Sequence, residues 1–386
     1  MKKIVFVDPA PFPYYSGGVE TWLYNLINTI GDDYDITVVS PTVPQGTPLV
    51  HDLGSRVRLV HYKAYDGSNV FRNRLSIIGQ KIKINHLTKV LKGICREDKN
   101  RRPSIVCLDT VICGRAVNSL RKQGFDFDYV VSIRGPHAEV LSKSYPFYAA
   151  KYNQWEKETL ETCDKILANG DDTIQLYKKI VNRPISIMKN GVSINRIKQG
   201  KASKVIDVSK NDGEYLIISI ATLIKIKGVY KIVDAIREYV QKYGKNIRVV
   251  FVGKGDQNAL LSYAAGIGVD KYINCVGEKT NVEDYYAIAD LVVCASGGSG
   301  LSMSMLEALA SQKPIVAIDT PVYQQFNKSR TLNLVPDSPE GIALGFSSVV
   351  NSYEIEKEKA QKNIEIAKEY DWSTVAADFI DYIEKK

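Results

Sequence analysis

The chain of 386 residues has few of the side chains that usually hold metals, with only six cysteines and four histidines. No two cysteines form a C-x-x-C pair, and none stands near a histidine at the spacing of a zinc site. We therefore expect no metal site and no cofactor that depends on one. The cysteines are predicted to be reduced thiols that act as small core residues.

Long apolar runs are also missing. No stretch approaches the roughly 18 uninterrupted apolar residues that a membrane-spanning helix needs. The chain begins with Met1, Lys2 and Lys3, and only four apolar residues follow before Asp8. That apolar region is too short for a signal peptide. The sequence therefore predicts a cytoplasmic protein without a membrane span.

The excess of positive over negative charge is confined to one stretch of the chain. The sequence has 51 Lys and Arg against 43 Asp and Glu, a formal net charge of +8. The window 72–102 contains ten of these cations and only two acids, so the rest of the chain is neutral. Proteins that wrap nucleic acid carry basic surface more widely. No nucleic-acid partner is predicted, and one basic stretch needs an explanation.

Short β-branched runs alternate with longer amphipathic segments, and this alternation occurs once in each half of the chain. Apolar strands separated by helices are typical of parallel β-α-β units. We predict an α/β fold of two Rossmann-like, doubly wound domains that face each other across a cleft. The first domain comprises residues 1–188, with a C-terminal helix at about 370–386 crossing back to it, and the second comprises 189–369.

The predicted elements have the following bounds, with a polar linker at about 184–214. Strands are expected at 3–8, 36–40, 57–62, 104–108, 129–133 and 165–168, and then at 215–220, 247–252, 272–276, 291–295 and 314–318. Outside the basic stretch, helices are expected at 18–30, 229–243, 281–289, 302–311, 353–368 and 373–385.

Ligands of such sheets bind in the loops that follow the strands. In the first half, Gly17 and Gly18 open a helix, whose exposed N–H groups can hold a phosphate. A simple turn with a helix cap explains the two glycines equally well. Arg134 and His137 follow the fifth strand and are candidate site residues, although a lone histidine is more often a structural group.

In the second half, Lys225 and Lys227 stand between a strand and a helix, where lysine can bind a phosphate as a point charge. A solvated lysine is the more common alternative. Gly253 and Gly255 follow the next strand, but Asn258 replaces the third glycine of a dinucleotide-binding motif. We interpret this second pair of glycines as a turn.

A loop rich in glycine and serine follows the strand at 291–295 and leads into a helix that contains Glu307. Such a loop offers backbone N–H groups and hydroxyls without bulk. The Glu307 carboxylate can accept two hydrogen bonds from vicinal hydroxyls such as those of a ribose. A solvated glutamate on a helix surface is equally compatible with the pattern.

The basic stretch has an internal order. At about 100° per residue, its basic residues from position 81 onward fall within one arc of about 80°, opposite an apolar side. This predicts an amphipathic helix with a basic face. The face either docks on an anionic membrane or a phosphate-bearing acceptor, or is an ordinary solvated surface. Its members are Lys81, Lys89, Lys92, Arg96 and Lys99.

In this order, the segments resemble a GT-B-fold glycosyltransferase of glycosyltransferase family 4, the retaining group that uses nucleotide sugars. The resemblance covers essentially the whole chain. It rests on the strand, proline-containing loop and GGxE at 3–20, Asn-Gly-Val at 190–192, Lys-Gly at 227–228, G-x-G at 253–255, the C-terminal part of a Glu-x7-Glu signature at 302–310, and Tyr-Asp-Trp at 370–372.

The resemblance implies that Glu307 binds the ribose hydroxyls and Lys227 the donor diphosphate, with Gly17 and Gly18 against the reacting centre. The backbone of residues 300–303 would hold sugar hydroxyls and phosphate. The implied donor-binding set is Gly17, Gly18, Thr222, Lys227, Ser299, Gly300, Leu301, Ser302, Met303 and Glu307. The implied catalytic set is Arg134, His137 and Lys227.

Three positions depart from the family pattern. Ser299 replaces the first glutamate of the Glu-x7-Glu signature, and Thr222 replaces a frequent phosphate-binding arginine. Arg134 stands where the family often has histidine, and His137 follows three residues later. These departures weaken the prediction of the donor sugar and, to a lesser extent, the prediction of activity.

The implied function is a metal-independent glycosyltransferase that moves a hexose from a UDP- or GDP-sugar to a saccharide or lipid-linked acceptor. The setting would be glycan, polysaccharide or glycolipid synthesis at the inner face of a membrane, with the nucleotide sugar as co-substrate and no further cofactor. Two alternatives stay open: a GT-B binding subunit that has lost catalysis, and a nucleotide-sugar epimerase, which needs more acid–base groups.

Overall fold

A computed structural model of the chain describes residues 1–15, 17–63, 76–97, 101–297, 302–327 and 329–385. Contacts divide the chain into two compact units. The first unit contains Met1–Asn190 together with Trp372–Lys386, and the second contains Gly191–Asp371.

The described part of the first unit contains a seven-stranded sheet in the order β3-β2-β1-β4-β5-β6-β7, and every paired strand is parallel to its neighbour. Most of these strands are apolar on both sides, as expected for a sheet covered on both faces. Their bounds are β1 Lys2–Val7, β2 Tyr34–Pro41, β3 Val57–Tyr62, β4 Ser104–Cys107, β5 Asp128–Ile133, β6 Lys165–Ala168 and β7 Ser186–Ile187.

Helices cover both faces of this sheet, because alternate residues of a strand point to opposite sides. On β1, Val5 packs with helices α2, α3 and α5, whereas Phe6 packs with α1 and α16. Phe379 of α16 stacks on Phe6, with ring centroids 5.9 Å apart. The helix bounds are α1 Gly18–Ile30, α2 Ser76–Glu97, α3 Ile112–Lys122, α4 His137–Ser144, α5 Ala149–Thr162, α6 Asp171–Tyr177 and, from the end of the chain, α16 Trp372–Glu384.

The second unit repeats this architecture around one hydrophobic core. Among its described residues, six parallel strands have the order β10-β9-β8-β11-β12-β13. The strands are β8 Tyr215–Ile220, β9 Ile247–Val252, β10 Ile273–Gly277, β11 Leu291–Cys294, β12 Ile315–Ile318 and β13 Asn333–Val335. The helices are α7 Ile194–Lys198, α8 Val229–Lys242, α9 Gln257–Gly266, α10 Val282–Ile288, α11 Met303–Ser311, α12 Pro321–Gln324, α13 Pro339–Asn351, α14 Tyr353–Ala360 and α15 Asn363–Lys368.

Two parallel-sheet α/β units confirm the predicted fold class, and the predicted strands occur within about two residues of their bounds. Two expectations were wrong. The predicted helix 353–368 is two helices, because the N–H groups of Gln361, Lys362 and Glu365 bond to carbonyls three residues earlier instead of the four of an α-helix. The predicted linker 184–214 contains β7 and α7, because Ile194 and Ile197 of α7 are buried in the core of the second unit.

Candidate functional site

In the second unit, backbone contacts bring the loops after β8, β9 and β11 together. Gly228, at the start of α8, has φ +76°, and a Cβ there would overlap the carbonyl oxygen of Ala295 after β11. The N–H of Leu223 after β8 donates to the Lys254 carbonyl after β9 at 2.8 Å. A Cβ on Gly255 would lie 2.7 Å from the Leu223 side chain. The glycines of the G-x-G segment thus serve loop packing, as a turn requires.

This packing places Lys227 beside the end of β11. Lys227 lines a cavity of about 10 Å³ together with Ser296, Ser304 and Tyr286. Its ammonium group forms no ion pair or side-chain hydrogen bond with a residue that the structure describes. A lysine without an internal partner keeps its charge available for an anionic ligand. Lys225, in the same turn, is exposed to solvent and does not line the cavity.

Glu307 lies on the first turns of α11, and its carboxylate approaches the same cluster. The Tyr286 hydroxyl lies 3.4 Å from Glu307 Oε2 and donates to the Ser304 carbonyl at 3.1 Å. Loss of solvent raises the pKa of Glu307 to about 7, while Arg196 and Tyr286 oppose this rise. Lys227, Ser304, Tyr286 and Glu307 therefore form a donor cluster, the name used below for these four residues.

The other members of the implied donor set in the second unit lie before or at the start of α11, in the loop after β8, or outside the described part of the chain. Ser302 precedes α11, and its hydroxyl lies 2.6 Å from the Ser304 hydroxyl. Met303 begins α11, and Thr222 lies in the loop after β8. Ser299, Gly300 and Leu301 are outside the described residues.

In the first unit, Arg134 follows β5 and is held by its neighbours. Its guanidinium lies over the Trp22 ring at 3.5 Å from the centroid. Nη1 donates to Asn190 Oδ1 at 3.0 Å, and Nε donates to Ser132 Oγ at 3.1 Å. Burial lowers the pKa of Arg134 to about 9, so the group stays charged at neutral pH. Its Nη2 atom has no partner among the described residues.

His137 begins α4 and belongs to a separate network. Its Nδ1 atom accepts the backbone N–H of Thr110 at 3.2 Å. The Thr110 hydroxyl donates to the buried Glu156 carboxylate at 2.6 Å, and the Tyr177 hydroxyl lies 2.9 Å from the same Oε1 atom. Because Nδ1 is the acceptor, this neutral tautomer carries its hydrogen on Nε2.

Gly17 and Gly18 differ in their surroundings. A Cβ on Gly17 would overlap Glu20 Oε2 and lie 3.1 Å from the Tyr15 ring. A Cβ on Gly18 would meet nothing within 4 Å. Gly17 is therefore closely surrounded by side chains, whereas Gly18 leaves open space at the start of α1.

The predicted basic helix is present as α2, but its cations have different surroundings. Lys92 donates to Gln123 Oε1 at 3.0 Å, and both Lys92 and Arg96 lie over the Phe125 ring. Lys89 is exposed, and Lys81 lines a pocket described below. Lys99 lies outside the described residues.

Neither a metal site nor a membrane span is found in the part of the chain that the structure covers. Its His, Cys, Asp and Glu side chains form no group of three or more that could hold a metal ion. None of its helices combines the length and apolar character needed to cross a bilayer.

Several contacts of these sites have no signal in the sequence. Tyr286 lies in an amphipathic segment and looks like an ordinary core residue, but it joins α10 to Glu307. Trp22 similarly looks like a core residue of α1, yet it supports Arg134. The Asn-Gly-Val segment is the one available clue to Asn190, and it does not indicate an arginine partner.

Comparison with known proteins gives one family model and several relatives. Residues 214–351 match the model "Glycosyl transferases group 1". A putative teichuronic acid biosynthesis glycosyltransferase of Bacillus subtilis is 26% identical over 56% of this chain and 53% of that protein. An alpha-monoglucosyldiacylglycerol synthase of Acholeplasma laidlawii is 27% identical over 40% of this chain and 42% of that protein. The chain thus spans about half the length of the curated relatives it matches.

Solved structures extend the fold comparison to the whole chain. Sucrose-phosphate synthase from Thermosynechococcus elongatus has a TM-score of 0.78 at 14% identity, over 99% of this chain and 98% of that chain. The Anabaena protein HepE, solved with UDP and glucose, has a TM-score of 0.74 at 14% identity, over 100% of both chains. The predicted GT-B fold is thus confirmed, and residues 214–351 match a glycosyl transferases group 1 domain.

Proposed function

We propose that the protein is a retaining glycosyltransferase of family 4 that moves a sugar from a UDP- or GDP-sugar to a saccharide or lipid-linked acceptor. The donor would bind the second domain, residues 189–369, and the acceptor the first, residues 1–188 with the helix at about 370–386. The single observation that carries this proposal is the donor cluster, where a lysine without an ion pair among the described residues lies near a desolvated glutamate of α11.

The donor cluster suits the two ends of a nucleoside diphosphate. The Lys227 ammonium would neutralise the diphosphate, and the Glu307 carboxylate would accept hydrogen bonds from the ribose hydroxyls. The backbone N–H groups of Ser302 and Met303, at the start of α11, would add donors for phosphate or sugar oxygens. Thr222 and the segment 299–301 complete the proposed donor set.

Transfer would need stabilisation of the leaving diphosphate more than acid–base chemistry by the protein. The bond between the anomeric carbon and the phosphate oxygen breaks, and the acceptor oxygen attacks on the same face. The acceptor proton then passes to the departing phosphate oxygen. Lys227 and the backbone donors would stabilise the negative charge that develops there.

Arg134 and His137 would act at the first domain's side of the reaction. The Arg134 Nη2 group offers a charged donor whose position is fixed by the Trp22 ring and Asn190. His137 offers its Nε2–H group, because Nδ1 is already an acceptor. Gly17 and Gly18 would let the diphosphate approach the start of α1.

The names of the relatives support a setting in polysaccharide or glycolipid assembly. One relative is named for teichuronic acid biosynthesis and another as a synthase of a glucosylated diacylglycerol. The HepE complexes with UDP, glucose and UDP-glucose support a nucleotide-sugar donor. Contact with an anionic membrane through the basic face of α2 would bring a lipid-linked acceptor to a peripheral enzyme at the cytoplasmic face.

A second candidate is a binding subunit without catalysis. It is favoured by Ser299 and Thr222, which replace a glutamate and an arginine of the family pattern. Both candidates require nucleotide binding, and only the first requires turnover.

Isothermal titration of the full chain with UDP and with GDP tests the nucleotide site, and a screen of nucleotide sugars for release of UDP or GDP tests catalysis. We expect binding of one nucleotide and turnover of its sugar conjugate when an acceptor is present. Binding without turnover over a broad acceptor panel would favour the binding subunit. Absence of binding to both nucleotides would refute both candidates.

A further inference from the structure

A second pocket lies in the first unit, between helices α2, α3 and α5. Its volume is about 260 Å³. That is enough room for several waters or for a small polar ligand. The side chains that matter below are Lys81, Arg115, Asn118, Ser119, Lys122 and Trp155.

The pocket is positively charged. Lys81 and Lys122 are exposed, and neither forms an ion pair with any residue in the described ranges. Arg115 lies over the Trp155 ring at 5.8 Å and is paired with Glu158. Since Glu158 neutralises only one of the three cations, the lining keeps an excess of two positive charges. Such a lining favours an anion over a neutral sugar.

Two residues of the lining also have buried polar atoms without partners. Asn118 is 1% exposed, and its Oδ1 atom accepts no hydrogen bond from a described residue. Trp155 is 2% exposed, and its Nε1–H likewise donates to no described residue. A buried polar group without a partner destabilises a fold, because it has lost its hydrogen bonds to water. One acceptor and one donor are therefore left unsatisfied beside the cationic lining.

We propose that this pocket binds a phosphate ester that also carries hydroxyl groups. The phosphate oxygens would take the charges of Lys81 and Lys122, and the hydroxyl-bearing part would enter beside Asn118 and Trp155. Such a group can be presented by the headgroup of an anionic phospholipid or by a soluble phosphorylated molecule. The lipid source rests on the proposed contact between α2 and a membrane, whereas the pocket itself does not.

The pocket is separate from the donor cluster. It lies on helices that cover one face of the first sheet, and the donor cluster belongs entirely to the second unit. Occupation of the pocket would hold the enzyme by a specific headgroup rather than by diffuse attraction of a basic helix to a charged surface. A change in the shape of the pocket that leaves its charge unaltered should weaken attachment by the headgroup, and it should not change attachment by diffuse attraction.

The test uses the full chain and two probes. Glycerol 1-phosphate is titrated by calorimetry, and vesicles of phosphatidylglycerol are compared with vesicles of phosphatidylcholine by cosedimentation. The double variant K81A/K122A removes the two unpaired cations of the pocket. The variant S119F narrows the pocket without changing the charge. The matched control K178A/K179A removes two exposed cations of the same unit, far along the chain from the pocket.

We expect K81A/K122A to weaken binding of at least one phosphate probe by about tenfold or more, since hydrogen bonds to charged groups are stronger than those between neutral groups. S119F should also weaken it by about tenfold, and the control should stay within about twofold. Loss with glycerol 1-phosphate supports a soluble source. Loss confined to phosphatidylglycerol vesicles supports a lipid source.

Absence of binding to both probes would overturn the proposal. So would binding of both probes that S119F leaves unchanged, because attraction by charge alone needs no pocket. Thermal unfolding followed by tryptophan fluorescence checks that the variants are folded. Titration of K81A/K122A with UDP and GDP keeps the two proposals apart, because nucleotide binding at the donor cluster does not need these two lysines. A chain that binds phosphate esters at this pocket and neither nucleotide retains the pocket and loses the proposed function.

Discussion

Arg134 and His137 of the first unit are bonded to neighbouring residues, whereas Lys227 and Glu307 of the second unit have few such bonds within the described chain. Arg134 is stacked on Trp22 and bonded to Asn190, and His137 accepts from Thr110. Lys227, by contrast, has no ion pair or side-chain hydrogen bond within the described chain, and Glu307 has only a long contact with Tyr286. Substitutions in the second unit should therefore change ligand binding most, and those in the first should change stability most.

The largest effect is expected for Glu307→Ala. If its carboxylate accepts two ribose hydroxyls, removal loses two charge-assisted hydrogen bonds, each worth about 1.5–3 kcal/mol. Nucleotide affinity should fall about 100-fold by calorimetry, with little change in the thermal unfolding temperature. Glu278→Ala, which removes an exposed carboxylate of the same unit, is the control and should have no effect. Equal affinity in wild type and Glu307→Ala would exclude a ribose contact.

Arg134→Ala tests the other side of the comparison. The change removes a stacked, partly buried guanidinium and leaves Asn190 and Ser132 without that donor, so the free energy of unfolding should fall by about 2 kcal/mol. All three tryptophans, Trp22, Trp155 and Trp372, belong to the first unit. Their fluorescence during urea unfolding therefore reports on that unit.

For this experiment Arg56→Ala is the control, because Arg56 forms a surface ion pair with Asp32 and should contribute less than about 1 kcal/mol. Arg134→Lys should restore little stability, since lysine lacks the planar group that stacks on Trp22. If Arg134→Ala unfolds like wild type, the network around Arg134 does not stabilise the unit.

Lys227 and Lys225 form a matched pair in one turn of the second unit. Lys227→Ala removes a charge from the donor cluster, and one lost charge-assisted contact corresponds to about 10- to 30-fold weaker nucleotide binding. Lys225→Ala removes an equal charge that is exposed to solvent, and it should change the affinity less than about twofold. Measurement at low and high salt separates a direct contact from long-range attraction. Similar losses for both variants would contradict the distinct placement of Lys227.

The raised pKa of Glu307 predicts a pH dependence of nucleotide binding. With a pKa of about 7 in the free protein, the group is mostly protonated at pH 6 and mostly ionised at pH 8. Because the ribose hydroxyls donate to the ionised form, affinity should rise by about tenfold across this range. The same titration of Glu307→Gln measures the contribution of the nucleotide's own phosphates, which is then subtracted. A rise of the same size in Glu307→Gln would assign the dependence to another group.

The smallest effect is expected at the two glycines that open α1. Gly17→Ala forces Glu20 and Tyr15 to move, so the free energy of unfolding should fall by about 1 kcal/mol. Gly18→Ala has open space and should be neutral or slightly stabilising. Tryptophan fluorescence in urea measures both. A larger loss for Gly18→Ala than for Gly17→Ala would contradict this order.

The sequence predicted the strands well because they are apolar and β-branched on both faces, a pattern that few other elements share. It also predicted Lys227 and Glu307 as candidates, since the order of the motifs along the chain identifies their loops. It did not predict the break after Ala360, because no glycine or proline marks the place where the backbone hydrogen bonds span three residues instead of four. Tyr286 and Trp155 escaped prediction for a similar reason: an aromatic residue on an apolar face looks the same whether it packs only or also lines a site.

Helix α16 has a consequence for how the protein folds during synthesis. The core of the first unit contains Trp372, Val375 and Phe379 together with Phe6 and Trp22, so that core stays incomplete until the ribosome has made the whole second unit. The second unit can close its own sheet earlier, because Gly191–Asp371 is continuous in the chain. The first unit is thus translated first, but we expect it to complete its folding last. Until then, the apolar side of α1 needs protection from other chains.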